Sequence, residues 1–574
     1  MIKNQANIVT LYIKFYNYFK AKLMPYPKIP LAQSIIEICR AKELFTVVIS
    51  PGSRNAPLTI GFTKNSEFNC YSVVDERCAA FFALGIAQQT QKPVALLCTS
   101  GSALLNYYPA VAEAFYSQIP LVVLSADRPI DKIDIGDGQT IRQQNVFENH
   151  SLYNANLIAD VCDENDVKIC KAIDTSISKK GPVHINIPFE EPLYELTENL
   201  VVSPKITSIE KSNEISENLA PFASIWNSSE KKLILIGAQI ENEISDEILN
   251  FWASDSSIVV MTETTSNVHH PSFINTIDSI ITPFEIGEYE NFKPDLLTTI
   301  GGMFVSKRIK AMLRTYKPKH HWHIDSLRAY DTFGCLTKHF KINVNDFFEN
   351  FNPLLIEVES NYKSLASKIK KLRAEKTEKY LSEIEFSDFK VFEKILKHIP
   401  FNSNLQISNS SAIRYAQLFD IEKSIGVFCN RGTSGIDGST STAIGAAVAS
   451  TKQTTLITGD IGFFYDSNAL WNNYIPKNFK IIVINNGGGG IFRILPGHDE
   501  SPVFNTYFET EHHLNASHYA KMYDFEYFSA NDENSFDFII DDFFNINEKP
   551  SILEIFTPTK VNDKILLNYF KNLT

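Results

Sequence analysis

One pattern constrains this chain more than any other. A short run that is apolar on both faces is followed by small residues and then by a helical pattern, again and again. The runs are LFTVVIS (44–50), PVALLCT (93–99) and PLVVLS (120–125) in one block. They are KLILIG (232–237), SIVVMT (257–262) and DLLTTIG (295–301) in a second, and TTLITGD (454–460) and KIIVIN (480–485) in a third. A strand with two apolar faces has to be covered on both, which is the condition of a parallel strand between layers of helices. The pattern predicts an α/β protein of three doubly wound parallel-sheet domains. The 574 residues allow three or four domains of ordinary size.

Two polar stretches separate the blocks. One, about 196–232, is rich in Ser, Glu and Asn; the other, about 357–388, is a Lys/Glu run of helical composition. The expected organisation is an N-terminal extension (1–27), a first domain (28–196), a central domain (197–360), a helical linker (361–388) and a third domain (389–574). Residues 1–23 alternate apolar and Lys/Asn positions without the apolar core or cleavage site of a signal peptide, and a second methionine, Met24, follows them directly. A faint internal repeat pairs ALGIAQQTQKPVALLCTSG (83–101) with AIGAAVASTKQTTLITGD (443–460), which hints that the first and third blocks share a topology.

Composition removes several classes of function. With 44% hydrophobic and 21% charged residues, the chain reads as globular rather than disordered. Its 54 Lys+Arg against 66 Asp+Glu give a net charge of −12, which argues against nucleic acid or an anionic membrane as the main partner. No run of about 18 apolar residues occurs, so no membrane-spanning helix is expected. The eight cysteines form no C-x-x-C pair, the pattern of reduced thiols in a cytoplasmic protein.

The sharpest chemical signal lies in the third block. Gly459-Asp460 ends one buried run; about 25 residues later Asn485-Asn486 ends another and is followed by four glycines, 487–490. In open parallel sheets, ligands gather beyond the carboxyl ends of strands. A carboxylate and an amide placed there offer hard oxygen ligands to Mg²⁺, and glycines let backbone approach a diphosphate. In the first block Glu76, in VVDERCAAFFALGIA (73–87), stands between a strand and an apolar helix; alone, it would read as a charge at a helix start.

The GD-spacer-NN arrangement resembles the diphosphate-and-metal motif of thiamine-diphosphate enzymes. The ordered set SPGSRNAPLT (50–59), VVDER (73–77), TSGSALLNYYPAVAEAF (99–115), SADRP (125–129), GQTIRQ (138–143), SKR (306–308), SNSSAIR (408–414), NRGTSGIDGSTSTAIG (430–445), GDIGFFYDSNAL (459–470) and NNGGGGIFRILP (485–496) is more specific. It resembles the 2-succinyl-5-enolpyruvyl-6-hydroxy-3-cyclohexene-1-carboxylate synthase family over roughly residues 28–574. The resemblance implies condensation of 2-oxoglutarate with isochorismate and release of CO₂, in menaquinone biosynthesis. It implies thiamine diphosphate and Mg²⁺ (or Mn²⁺) as cofactors, and a homodimer or dimer of dimers. Glu76 is implied as the catalytic group that hydrogen-bonds the pyrimidine ring. Asp460, Asn486 and the Gly488 carbonyl are implied as metal ligands, with Ser410, Ile436 and Ile491 at the cofactor. Ser53, Arg54, Arg128, Gln139, Lys307, Arg308, Arg414, Arg431, Phe492 and Leu495 are implied at the substrates. Both substrates are dicarboxylates, which suits the planar fork of arginine. Relatives often carry asparagine where Gly487 stands and glutamine where Gly490 stands, so the four-glycine loop is expected to be looser and Gly488 less firmly assigned than Asp460 or Asn486.

Two other readings compete. One is another thiamine-diphosphate enzyme acting on 2-oxo acids, such as an acetohydroxyacid synthase or a simple decarboxylase. The other is a nucleotide-binding or regulatory protein without catalysis, weakened because no G-x-G-x-x-G follows a strand. His321 and His323 in KHHWHID (319–325) share one face of a probable strand without an evident third ligand, and are read as structural.

Overall fold

The computed structural model describes residues 25–208, 217–494, 500–545 and 548–574. Of the expected extension 1–27, residues 1–24 lie outside these, and Tyr26–Pro27 pairs antiparallel with Leu196–Thr197. The chain divides into two compact units. The first comprises residues up to 211 together with 444–449 and 468–474; the second comprises the remainder.

The first unit is built on a six-stranded sheet. Across it run Asn69–Ser72, Thr46–Ile49, Val94–Cys98, Leu121–Asp127, Pro182–Pro188 and Asn154–Asn156, every pair parallel. Val94–Cys98 and Leu121–Asp127 are buried at every residue, as runs apolar on both faces require. Helix Glu76–Thr90 packs on Val94–Cys98. Its start is fixed by Asp75, whose side chain accepts the Cys78 N–H at 3.1 Å. Its small residues admit close neighbours. A Cβ added at Gly445 would stand 2.0 Å from the Phe82 carbonyl oxygen, so this approach in the first unit needs glycine.

The second unit holds two parallel sheets. In one the order is Ile258–Thr262, Lys232–Ile236, Leu296–Ile300, His320–Ile324 and Lys338–Phe340. In the other it is Gly426–Phe428, Asn404–Ile407, Thr454–Gly459, Lys480–Asn485, Ser551–Phe556 and Glu526–Ala530. The edge strand Gly426–Phe428 is capped from the neighbouring layer: the Asn267 amide accepts the Val427 N–H at 2.7 Å and donates to the Val427 carbonyl at 3.0 Å. Helix Tyr362–Glu383 joins the two sheets' cores, burying Tyr362 and Ala366 against one and packing Tyr380 and Leu381 on the other. His321 and His323 both hydrogen-bond the Thr299 hydroxyl at 2.9 Å, and burial pushes both imidazoles down to about 4.

The two six-stranded sheets share one strand order. Numbered within each sheet by chain position, both run 2-1-3-4-6-5. The repeated segments 83–101 and 443–460 supply Val94–Cys98 and Thr454–Gly459, the third strand in each. The hint of shared topology is thus borne out.

Candidate functional site

A 2-1-3 order places a topological switch between the first and third strands, where the chain leaves the sheet in opposite directions and opens a crevice. In the second unit the first strand ends into Ser408-Asn409-Ser410 and the third into Asp460; the fourth, beside it, ends into Asn486. Around these ends lies a cavity of about 190 Å³. Its walls include Ser410, Ile436, Asp460, Asn486, Gly488 and Ile491, with Phe492 alongside. Seven of the residues expected from the sequence therefore meet in one place. Leu495 lies outside the described residues.

The polar groups of this cavity are tightly positioned. Asp460 is 2% exposed; its Oδ1 accepts the Ile461 N–H at 2.7 Å, and its Oδ2 accepts those of Gly487 and Gly488 at 2.9 and 3.1 Å. His512 Nε2 stands 3.4 Å from Oδ2, and contact with this carboxylate raises the imidazole above its usual value. Asn486 donates through Nδ2 to Asp388 Oδ2 at 2.9 Å, while its Oδ1 is buried with no hydrogen-bond partner. A buried acceptor left unpaired is costly, so a group that accepts its lone pair is expected there. Asp388 also accepts the Thr557 hydroxyl at 2.6 Å, and burial pushes its carboxyl up to about 6. The Gly488 carbonyl accepts the Gly490 N–H at 3.0 Å and keeps a second lone pair. An asparagine oxygen without a partner beside a carboxylate matches the donors a hard divalent cation takes.

The four-glycine loop is held closely by segment 505–512. Gly489 N–H donates to the Glu509 carbonyl at 2.6 Å, and His512 N–H donates to that of Gly487 at 3.0 Å. A Cβ on Gly488 would come within 2.7 Å of the Glu509 carbonyl oxygen. Glu509 in turn makes a two-pronged buried pair with Arg493. The glycines thus serve first to let this segment approach.

Cations collect next to the cavity. Arg431 Nη1 donates to Asn409 Oδ1 at 2.6 Å, and Asn409 Nδ2 donates to the carbonyls of Asn430 and Gly435, both at 2.7 Å. Burial, then the neighbouring Arg431 charge, holds Arg414 below its ordinary value. Arg308 and Arg414 both act electrostatically on Asp278, which hydrogen-bonds the Ser306 hydroxyl at the start of helix Lys307–Thr315. Lys307 and Arg308 are exposed at the start of that helix. Beneath them lies Glu263, 2% exposed, which accepts the Ser306 N–H at 3.0 Å and bonds the Gln417 amide. Burial pushes its carboxyl up to about 7.

The first unit has the matching switch in its strand order. Glu76 is the first residue of helix Glu76–Thr90, half-buried, and its charge is felt by Cys98 and the buried Tyr107. Arg54 is 3% exposed and donates to the Phe189 carbonyl at 3.0 Å and to Glu191 Oε1 at 3.2 Å. Burial, and then the charge of Arg128, depresses it. Arg128 donates to the Gly138 carbonyl at 3.1 Å. Ser53 and Gln139 are exposed, and the Gln139 carbonyl borders Gly101. Arg54 and Arg128 are therefore neighbours.

Sequence reasoning missed Asp388, Asn409 and Glu263. Asp388 ends a charged linker run, and nothing in the neighbouring residues marks it as the partner of Asn486. Asn409 lies within the quoted motif SNSSAIR, but only the fold shows that it orients Arg431.

Residues 29–152 match the family model described as thiamine pyrophosphate enzyme, N-terminal TPP binding domain, and residues 410–555 match the C-terminal TPP binding domain. Paired with two sheets of one topology and a polar crevice at the strand ends, these matches define the class: a thiamine-diphosphate-dependent enzyme. Among curated proteins, 2-succinyl-5-enolpyruvyl-6-hydroxy-3-cyclohexene-1-carboxylate synthase of Flavobacterium johnsoniae is 67% identical, over 96% of this chain and 100% of its own. The synthases of Christiangramia forsetii and Cytophaga hutchinsonii are 54% and 37% identical, over 95% and 94% of this chain and 99% and 98% of theirs. The chain belongs to the 2-succinyl-5-enolpyruvyl-6-hydroxy-3-cyclohexene-1-carboxylate synthase family and is a transferase. No helix among the described residues is long and apolar enough to cross a membrane.

Proposed function

We propose that the enzyme decarboxylates 2-oxoglutarate and transfers the remaining four-carbon unit to isochorismate. The products are 2-succinyl-5-enolpyruvyl-6-hydroxy-3-cyclohexene-1-carboxylate and CO₂, in cytoplasmic menaquinone biosynthesis. The observation that carries the reading is Asn486 Oδ1, a buried acceptor without a partner beside the Asp460 carboxylate, next to a cluster of cations. Asp460, Asn486 and the Gly488 carbonyl hold Mg²⁺ or Mn²⁺; Ser410, Ile436 and Ile491 line the cofactor. Bound thiamine diphosphate supplies the electron sink for loss of CO₂.

The chain's own residues do the rest. Glu76 holds a proton at the pyrimidine ring. Ser53, Arg54, Arg128 and Gln139 in the first unit, and Lys307, Arg308, Arg414 and Arg431 in the second, bind substrate carboxylates and hydroxyls, arginine by its two-pronged geometry. Ile491 and Phe492, on the cavity wall, would keep water from the reacting carbon.

The test is product formation from 2-oxoglutarate and isochorismate, with and without thiamine diphosphate and Mg²⁺. Turnover of pyruvate with no isochorismate-dependent product overturns the reading in favour of an acetohydroxyacid-synthase type. Glu76→Gln is expected to lower turnover by about 10²–10⁴-fold with an unchanged circular dichroism spectrum; near-normal activity removes Glu76 from the role. The active species is a homodimer or a dimer of dimers, and an active monomer in sedimentation at assay concentration contradicts that.

A further inference from the structure

An arginine without a counter-ion lines a second cavity in the second unit, one that shares no lining residue with the cavity at Asp460 and Asn486. Arg373, on helix Tyr362–Glu383, is 6% exposed. Among the described residues its guanidinium makes no hydrogen bond or ion pair, and its Nε is buried without a partner. Glu288 acts on it only through space, and burial draws it below its ordinary value. A donor buried without an acceptor is costly, and the rest of the guanidinium opens on a cavity.

Arg373 lines a cavity of about 470 Å³ within the second unit, a volume typical of small-molecule sites. Leu381, Leu396, Leu418 and Phe419 supply apolar walls. Several of the other polar groups are engaged, and the carboxylates of Glu378 and Asp420 and the buried Asn275 Oδ1 also line the cavity, Asp420 accepting from the Asn275 amide. The Tyr569 hydroxyl bonds Ser279 at 2.9 Å and Thr377 at 3.0 Å, Lys370 donates to the carbonyls of Pro271 and Phe273, and Lys390 donates to that of Leu381. Lys397 at the rim pairs with Glu393. None of these acceptors pairs with the guanidinium, and the apolar walls fit a ring or chain.

We propose that this cavity binds a small organic anion, a carboxylate carried on an apolar ring or chain. The guanidinium takes the carboxylate in a two-pronged pair, and Leu396, Leu418 and Phe419 cover the body. The site shares no lining residue with the cavity at Asp460 and Asn486, although helix Asp388–His398 contributes residues to both. It is independent of the reaction proposed above.

The probe is benzoate, titrated calorimetrically into the full-length protein in chloride buffer, with benzamide as the neutral isostere. Benzoate is expected to saturate a site that binds benzamide at least tenfold more weakly. Arg373→Met is expected to weaken benzoate at least tenfold, and Leu418→Trp, which fills the cavity, to do the same with the guanidinium intact. Absence of saturable benzoate binding, unchanged affinity in Arg373→Met, or equal affinity for benzamide overturns the proposal.

Discussion

Glu263 provides the strongest quantitative test of the electrostatics beneath the cation cluster. Its carboxyl is buried, and burial moves it from an ordinary 4.5 to about 7. The folded state therefore holds this proton more tightly than the unfolded state does. The stability that follows is fully present below pH 4.5 and is lost as pH rises toward 7. At about 1.36 kcal/mol per pH unit between the two values, keeping the group ionised in the folded protein costs about 3 kcal/mol above pH 7. Glu263→Gln keeps the shape and removes the charge. Its amide oxygen can still accept the Ser306 N–H. Its new N–H₂ would face the Gln417 amide, whose own Oε1 is buried without a partner, so a half-turn of Gln417 restores the pair. The assay is thermal and urea unfolding of parent and variant at pH 5 and pH 7.5. At pH 7.5 the variant is expected to be more stable by about 3 kcal/mol, or roughly 5 °C in Tm for a unit of this size. At pH 5 the two should nearly coincide. A variant less stable at pH 7.5, or a difference that does not change with pH, refutes the reasoning; either would mean that attraction to Arg431 and Lys310 outweighs burial.

Two further perturbations probe the crevice and the packing. Asn486→Ala removes the unpaired oxygen and should weaken Mg²⁺-dependent thiamine diphosphate binding at least tenfold, while Asp388→Ala, which leaves Asp460 and Asn486 in place, should weaken it by about 10–100-fold; fluorescence titration reads both, and unchanged affinity in Asn486→Ala excludes it as a ligand. Gly445→Ala drives a Cβ to 2.0 Å from the Phe82 carbonyl oxygen; backbone cannot yield there cheaply, so a loss of about 1–3 kcal/mol is expected in calorimetry, and an unchanged Tm would show that the approach is not tight.

Much of the fold could be read along the chain because its cause is local. A parallel strand covered on both sides carries a run of consecutive apolar residues, so Val94–Cys98, Leu121–Asp127, Lys232–Ile236 and Lys480–Asn485, each with four or more in a row, announce themselves. Asn404–Ile407 and Gly426–Phe428 do not. The first begins with Asn and carries Gln, and the second is three residues long, with its edge satisfied by Asn267 from a different layer. Chemistry at strand ends was legible for the same reason: Asp460 and Asn486 follow recognisable strands at a recognisable interval.

What the sequence alone determined is the α/β class, the parallel sheets and the identity of the groups at the ends of two neighbouring strands. These follow from residue type and short spacing. Only the tertiary structure decided which groups meet across long separations: Asp388 with Asn486, 98 residues apart, Gln417 with Glu263, 154 apart, and the unpaired Arg373 beside Tyr569. Hydrogen bonds and charges act over a few ångströms of space, so the orientation of Asn486 and the lack of a partner for Arg373 arise only when separate layers pack.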